Sequence, residues 1–466
     1  MGAWPFADVE GRNQRVQFAY YKYALLNDSR DEPMTMQQPY KNTNALLLVL
    51  VLSACTVIPR PTPPPVGEPV KQAWGSVPIL SVDDVAVTSL SESLIGSLRT
   101  KFETARANSS TGKIPYRALA LSGGGSRGAY GAGVMSGWTV RGDRPQFDVV
   151  TGISTGALMA THVFLGPDFD EGLTIFKRLT NDDVYRKRSI FEIFQAGAAY
   201  DTRPLRETLS SIITAEILDR VAAEHRAGRR LFVGSTNLDA NLFTIWDLGA
   251  IAGSDRPDRL QRYIDAVMAS SAFPIAFEPI YIEVEGEDGP YTQMHADGGI
   301  RETAFYFDFI EEFYAAAEAA GLTEGDFKQE MYLLINGQIA HSRSVVYDPV
   351  GSKLKDSIAA TIDSLMTRVT RGSVFRMWVL AMIDGADFHV SFVPADFEFN
   401  THTLQFEPEE EAALFELGYR QSVEGTAWVT QFAPDDAEGI LERIRDPASG
   451  FDVQESHRNM LKRRAD

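Results

Sequence analysis

One cysteine in 466 residues, Cys55, excludes an intrachain disulfide. Positive charge is also short: 44 Lys and Arg stand against 63 Asp and Glu, a net charge of −19. Nucleic-acid binding needs a positive face, so this balance argues for no nucleic acid among the partners. It also weakens attraction to an anionic lipid surface, and membrane contact then calls for a separate anchor. Long apolar runs are scarce. The run at 45–54, Ala-Leu-Leu-Leu-Val-Leu-Val-Leu-Ser-Ala, is too short to span a bilayer. No repeat and no long low-complexity stretch divides the chain beyond it. At 44% hydrophobic residues the chain can bury a large core, and one α/β domain is expected over 76–450.

The apolar run follows Lys41 and is closed by Cys55, which suits a signal-peptide h-region and gives a signal segment over 1–54. Leu52-Ser53-Ala54-Cys55 resembles a bacterial lipobox. That implies cleavage before Cys55 and acylation there, a strong anchor because more than one chain is buried. A buried core strand or an uncleaved anchor are the other readings, and the cysteine at that one position argues against both. The domain is then expected in the bacterial cell envelope, lipid-anchored. Thr56, not being aspartate, sends it to the outer membrane under the usual sorting rule. A signal peptide begins close to its h-region, so 1–33 reads as an upstream over-extension ahead of Met34 or Met36. Residues 55–75 are proline-dense and read as an extended tether.

Two strand-to-helix turns organise the rest. Residues 118–131 read Ala-Leu-Ala-Leu-Ser-Gly-Gly-Gly-Ser-Arg-Gly-Ala-Tyr-Gly, and 147–159 read Phe-Asp-Val-Val-Thr-Gly-Ile-Ser-Thr-Gly-Ala-Leu-Met. The second contains G-x-S-x-G, in which Gly152 and Gly156 permit a strained corner that lifts the Ser154 hydroxyl clear of the sheet. The first places unencumbered glycine N–H groups at a helix start, where they can face an oxyanion. If the two strands are adjacent and parallel, joined by a helix over 129–141, both turns emerge at one sheet edge. Gly123-x-Gly125-x-x-Gly128 is also, literally, a dinucleotide fingerprint, with Asp143 or Asp148 following. The serine elbow stands where a Rossmann unit would offer its ribose-binding carboxylate, and the pair of turns points to acyl chemistry.

Gly123-Gly124-Gly125-Ser126-Arg127-Gly128, Gly152-Ile153-Ser154-Thr155-Gly156 and Asp297-Gly298-Gly299 resemble the three blocks of the patatin-like phospholipases. Ala269-Ser270-Ser271-Ala272-Phe273-Pro274 resembles the family's A-S-x-x-x-P segment. The likeness covers about 114–299. It implies a patatin-like three-layer α/β/α sandwich with a largely parallel central sheet. It implies Ser154 as nucleophile and Asp297 as base, with Gly123, Gly124, Gly125, Arg127 and Gly128 forming the oxyanion hole. The substrate implied is a membrane phospholipid or other lipid ester, with no cofactor and no metal.

Three rivals stay open at this point. A histidine triad is the commoner arrangement around a serine nucleophile, and His295, His341, His389 and His402 are available. Asp239 is either a second carboxylate of the site or ordinary turn chemistry. A non-catalytic lipid-binding lipoprotein would keep the pocket without turnover. Tyr185, Phe191, Phe194 and Tyr200 line an acyl cavity or are plain core. Arg127 holds the glycine loop, orients a substrate phosphate, or is a surface cation.

Elsewhere, periodicity predicts helices over 85–105, 264–272, 305–320, 353–383, 409–423 and 434–445. The pattern over 168–220 is helical, with Pro204 marking a helix start. Strands are expected at 229–235, 242–248, 280–284, 291–295, 330–336, 388–393 and 402–406. The tail, 451–466, carries Arg458, Lys462, Arg463 and Arg464, which touch anionic headgroups or are simply solvated.

Overall fold

Ile-Pro-Tyr-Arg-Ala-Leu-Ala-Leu, residues Ile114–Leu121, is too apolar to turn either side to water, and it forms a strand with a parallel neighbour on each edge. The chain divides into two units, Met1–Thr56 and Val57–Asp466. The computed structural model describes residues 60–67, 70, 71, 73, 76–79, 89–107, 112–306, 317–323, 326–339, 351, 353–430 and 432, all in the second unit. The signal segment, Cys55, the helix expected at 434–445, His341 and the basic tail lie outside the described residues, as does most of the helix expected at 305–320.

In chain order the elements begin with β1 (Ser76–Ile79), α1 (Ser89–Ala107), β2 (Ile114–Leu121), α2 (Gly128–Arg141), β3 (Val149–Gly152) and α3 (Thr155–Leu165). Next come α4 (Asn181–Val184), β4 (Arg186–Lys187), α5 (Ile190–Ala196), β5 (Tyr200–Asp201), α6 (Arg203–Ile212) and α7 (Ala215–Arg226). Then follow β6 (Arg230–Asn237), β7 (Leu242–Asp247), α8 (Leu248–Ala252), α9 (Arg259–Ser270), β8 (Ile280–Gly286) and β9 (Gly289–Asp297). The chain closes with β10 (Phe327–Ile335), α10 (Leu354–Asp384), β11 (Asp387–Phe392) and α11 (Pro408–Val423).

The main sheet runs β1-β7-β6-β3-β2-β10-β11, with β9 also paired to β6 and β8 to β9. From β6 to β11 the strands are parallel; β1, β7, β9 and β8 join antiparallel. Successive residues of β2 supply opposite cores. Leu119 and Leu121 pack with α2, α3, α7, α9 and α11, while Ala118 meets the α1 cluster and Ala120 the α10 cluster. This is a three-layer α/β/α arrangement around a largely parallel centre. The small residues of α2 have a packing reason: a Cβ on Gly133 would stand 2.8 Å from the Phe415 carbonyl carbon of α11.

Two expectations need correction. The helical stretch expected over 168–220 is broken by β4 and β5, two-residue strands that pair antiparallel around α5. Its later part is helical, with Pro204 in the first turn of α6 as expected. Residues 402–406, expected as a strand, form a turn. Their backbone groups are taken elsewhere: Thr403 O accepts Ser126 N–H at 2.9 Å, Leu404 O accepts the Tyr185 hydroxyl at 2.9 Å, and Phe406 N–H donates to Asn181 Oδ1 at 3.0 Å. No ladder partner is left for them.

Candidate active site

β2 and β3 pair in parallel with Leu121 opposite Gly152, so the glycine loop and the elbow leave the sheet side by side at one edge. Ser154 sits at φ 52°, ψ −123°, a region that residues other than glycine seldom occupy. The end of α9 holds it there. Ser154 N–H donates to Ser270 O at 3.2 Å and to Ser270 Oγ at 3.1 Å, while Ser271 Oγ donates to Ser154 O at 3.2 Å. The elbow closes against the sheet so tightly that a Cβ on Gly156 would stand 2.7 Å from Ser122 O.

Most N–H groups of the glycine loop are committed. Gly123 donates to Thr303 O at 3.0 Å, Arg127 to Gly124 O at 3.3 Å, and Gly128 to Gly125 O and Ser126 O. Gly124 and Gly125 N–H have no partner among the described residues. Of the five residues expected from sequence at the oxyanion hole, these two keep an N–H without a partner among the described residues, and the other three N–H groups are spent inside the fold. Gly125 adopts φ +59°, and a Cβ on Gly124 would lie 2.6 Å from Asn336 Cβ.

Asp297 arrives along the edge of β6 that β3 uses: β3 pairs with Arg230–Val233 and β9 with Ser235–Asn237, while β7 takes the opposite edge. The pairing of β9 with β6, Ser235 opposite Asp297, sets it at the same edge. Its N–H donates to Ala272 O at 2.9 Å and its carbonyl accepts Thr236 Oγ1 at 3.0 Å, so the backbone is fixed at both ends. The residue is 2% exposed. Gly299 N–H donates to Oδ1 at 2.7 Å. Burial pushes this carboxyl up to about 6, against the opposing pull of the nearby Ser154 side chain and of the Gly299 N–H.

A cavity of about 350 Å³ opens over Ser154, Asp297 and the three loop glycines. Its walls are apolar, with Leu158, Leu205, Phe273, Phe277, Met366 and Phe406, and it also carries Arg127, Asp363, Arg371 and His402. Among the described residues, no group of three or more His, Cys, Asp or Glu is arranged to hold a metal ion. Nor is any described helix long and apolar enough to cross a membrane.

Residues 119–309 match the family model described as patatin-like phospholipase. They form a patatin-like domain. A curated relative from Escherichia coli (strain TW11681), described as a cGAMP-activated phospholipase, is 27% identical over 220 residues. The match covers 44% of this chain and 58% of that relative's length. Among solved structures, VipD from Legionella pneumophila is 16% identical with a TM-score of 0.31, over 67% of each chain.

The described histidines that could partner the serine stand mostly apart from it. His295 is fully buried, with Nδ1 3.0 Å from Ser235 Oγ and its ring edge-on to Trp246 at 5.3 Å. Its Nε2 is buried without a partner among the described residues, and burial pulls the imidazole down to about 4. His389 stacks on Tyr332 at 4.4 Å. Only His402 reaches the cavity among the histidines described. Asp239 serves its turn, pairing with Arg60 at 2.5 Å and accepting Met294 N–H at 2.8 Å. Tyr185 and Tyr200 pack on each other at 4.2 Å behind Phe277, while Phe191 is 63% exposed, so the acyl-cavity reading of these aromatics is corrected. The side chain of Phe194 lies outside what is described.

Two contributors have no motif to announce them. Asn336 at the end of β10 donates from Nδ2 to Ser122 O at 2.7 Å, accepts Gly131 N–H at 3.1 Å, and gives its own N–H to Ser122 Oγ at 2.8 Å. It ties the root of the glycine loop to α2. Phe399 carries the Arg127 guanidinium over its ring, 3.8 Å from the centroid. The Arg127 Nε is buried without a partner among the described residues, and desolvation lowers the guanidinium from its ordinary value.

Proposed function

We propose that this chain is a serine acyl hydrolase that releases fatty acid from phospholipid or a related lipid ester, with Ser154 as nucleophile and Asp297 as base. The supporting observation is a fully buried carboxyl, raised to about 6, that lines one cavity with a serine at a strained elbow and feels its side chain. Such a carboxylate is a stronger base than an exposed one.

Ser154 Oγ attacks the ester carbonyl carbon as its proton passes to Asp297. The carbonyl oxygen becomes an oxyanion facing the Gly124 and Gly125 N–H groups. Collapse breaks the bond to the alcohol oxygen, which takes the proton from Asp297 and leaves. Water then attacks the acyl-serine, Asp297 accepts its proton, and the returning proton restores Ser154 as fatty acid departs. The apolar walls suit an acyl chain. Arg127, backed by Phe399 and with no carboxylate at ion-pair distance among the described residues, suits a phosphate beside the ester.

The same reading places the domain on a bacterial outer membrane through acylated Cys55, with the residues before it removed. Metabolic labelling with palmitate, lost in Cys55→Ser, tests that part.

For the chemistry, fatty acid release from phospholipid vesicles and from a dispersed short-chain ester is measured with Ser154→Ala and Asp297→Ala as controls. Release from both substrates that vanishes in both variants is expected. Lipid held without release would make the chain a binding protein. Loss in Ser154→Ala but not Asp297→Ala would overturn the dyad.

A further inference from the structure

β4 and β5 pair only with each other, Arg186 opposite Asp201 and Lys187 opposite Tyr200. A third segment lies along β5, with Ala199 N–H donating to Ile275 O at 2.9 Å and Tyr200 N–H to Ala276 O at 2.8 Å. From this platform α5 rises with well-formed ends. Ser189 N–H donates to the Glu192 carboxylate at 2.8 Å, Glu192 N–H returns to Ser189 Oγ, and Gly197 closes the helix at φ 68°. Yet its first two residues are large, apolar and turned to water: Ile190 is 76% exposed and Phe191 63%. On the third segment of the same platform Ile275 is 68% exposed and holds φ at +70°, a conformation that a β-branched residue keeps only under constraint. Three exposed apolar side chains on one platform, one of them strained, mark an interaction surface.

The charges around them run against the chain as a whole. Between 186 and 203, four bases (Arg186, Lys187, Arg188, Arg203) stand against two acids (Glu192, Asp201), in a chain of net charge −19. Asp201 accepts both Arg186 and Arg203, whose side chains remain 58% and 70% exposed, and Arg188 pairs with Glu278. Lys187 is exposed and has no carboxylate partner among the described residues. Neighbours in sequence form the cavity wall: Val184 precedes β4, Leu205 follows β5, and Phe273 and Phe277 bracket Ile275.

We propose that the β4–α5–β5 hairpin together with Ile275 docks the domain on a phospholipid bilayer that contains anionic lipid. Ile190, Phe191 and Ile275 enter the interfacial layer, and Arg186, Lys187 and Arg203 meet headgroup phosphates. The inference rests on the hydrolase reading for its purpose, since docking there carries the cavity wall to its lipid, but the docking itself needs no turnover.

Because Cys55 is the sole cysteine, the full chain carrying Cys55→Ser, Ser154→Ala and Phe191→Cys takes a single polarity-sensitive fluorophore at 191. The same label at Val140→Cys, an exposed position at the end of α2, is the reference. With vesicles of phosphatidylcholine and phosphatidylglycerol, the label at 191 is expected to shift to the blue and to be quenched by a lipid-phase quencher, and the label at 140 to stay unchanged. Adding Ile190→Asp and Ile275→Asp is expected to weaken that response about tenfold. Silence at 191 on vesicles overturns the proposal, whether or not they sediment the chain. So does a concentration-dependent response without vesicles, which would give the surface to a second copy. An equal response on pure phosphatidylcholine overturns the role of the basic residues. The Ser154→Ala background makes the outcome independent of whether the chain hydrolyses anything.

Discussion

Asn336 stands against Gly124 so closely that a Cβ at 124 would lie 2.6 Å from the asparagine's own Cβ. The carboxyl end of β10 thus presses on the glycine loop from one side, and the Asn336 amide ties the loop's root to α2 from the other. The loop's two uncommitted N–H groups owe their aim to a strand two hundred residues downstream.

Gly124→Ala should therefore cost both folding and catalysis. The added methyl meets the Asn336 main chain and Cβ, which no side-chain swing can clear, and moving the loop turns a donor away from the oxyanion, a loss of about 10²- to 10³-fold in kcat. Asn336→Ala should cost about 10²-fold through misplacement of the same loop, with KM for a short-chain ester nearly unchanged in both. Steady-state kinetics on folded protein check this; wild-type kcat in Gly124→Ala would remove the loop from the chemistry.

The pH dependence follows from Asp297. Its base form is the ionised one, and burial raises the carboxyl to about 6. As pH falls through that value kcat/KM should drop tenfold per unit, and above pH 7 it should be flat on the acid side of the profile. A midpoint near 4 would mean that a different carboxyl titrates.

The same shift has a stability sign. The folded carboxyl holds its proton to about 6 and the unfolded one only to 3.8, so its contribution is present below 3.8 and is lost as pH rises through about 6. At pH 7.5 the buried carboxylate costs about 3 kcal/mol. Asp297→Asn, inactive, should then be more stable than the parent at pH 7.5 and lose that advantage at pH 4, as denaturant titrations at both values would show. An equal difference at both values would refute the burial argument.

Much of this was legible in advance because glycine and serine at a strand end report backbone demands directly. The elbow, the loop, the helix after it and the adjacency of β2 and β3 follow from local chemistry. What hid was contact between distant segments. Asn336 is an unremarkable strand-end residue until Ser122 lies against it. Residues 402–406 have strand-like composition, but the carbonyls of Thr403 and Leu404 are claimed by Ser126 N–H and the Tyr185 hydroxyl. Ile190 and Phe191 look like core in any pattern and are exposed. The commitment of Gly123 N–H to Thr303 was likewise invisible, since Thr303 lies outside every block of the motif.

Arg127→Met should separate substrates. The guanidinium lines the cavity and has no carboxylate at ion-pair distance among the described residues, with Asp363 and Glu410 acting on it from farther off, so its loss should lower kcat/KM about tenfold or more on a phospholipid and much less on an uncharged ester of the same acyl chain. Equal losses on both would make Arg127 a support of the loop and nothing more.

His295→Ala tests a histidine beside the base. The imidazole lies two residues from Asp297 on the same strand, near enough in sequence to be mistaken for its partner, yet its Nδ1 faces Ser235 and it does not line the cavity. Burial holds it neutral by pulling it down to about 4, so it has no charge to lend at neutral pH. Removing it empties a packed site against Trp246, which should cost about 2 to 4 kcal/mol of stability. Activity per folded molecule should stay within about threefold of the parent, and its pH midpoint should stay near 6, because a residue that only packs changes how much protein is folded and not what titrates. A loss as deep as that of Asp297→Ala, in protein shown to be folded by its unfolding transition, would put the imidazole into the chemistry and the aspartate behind it.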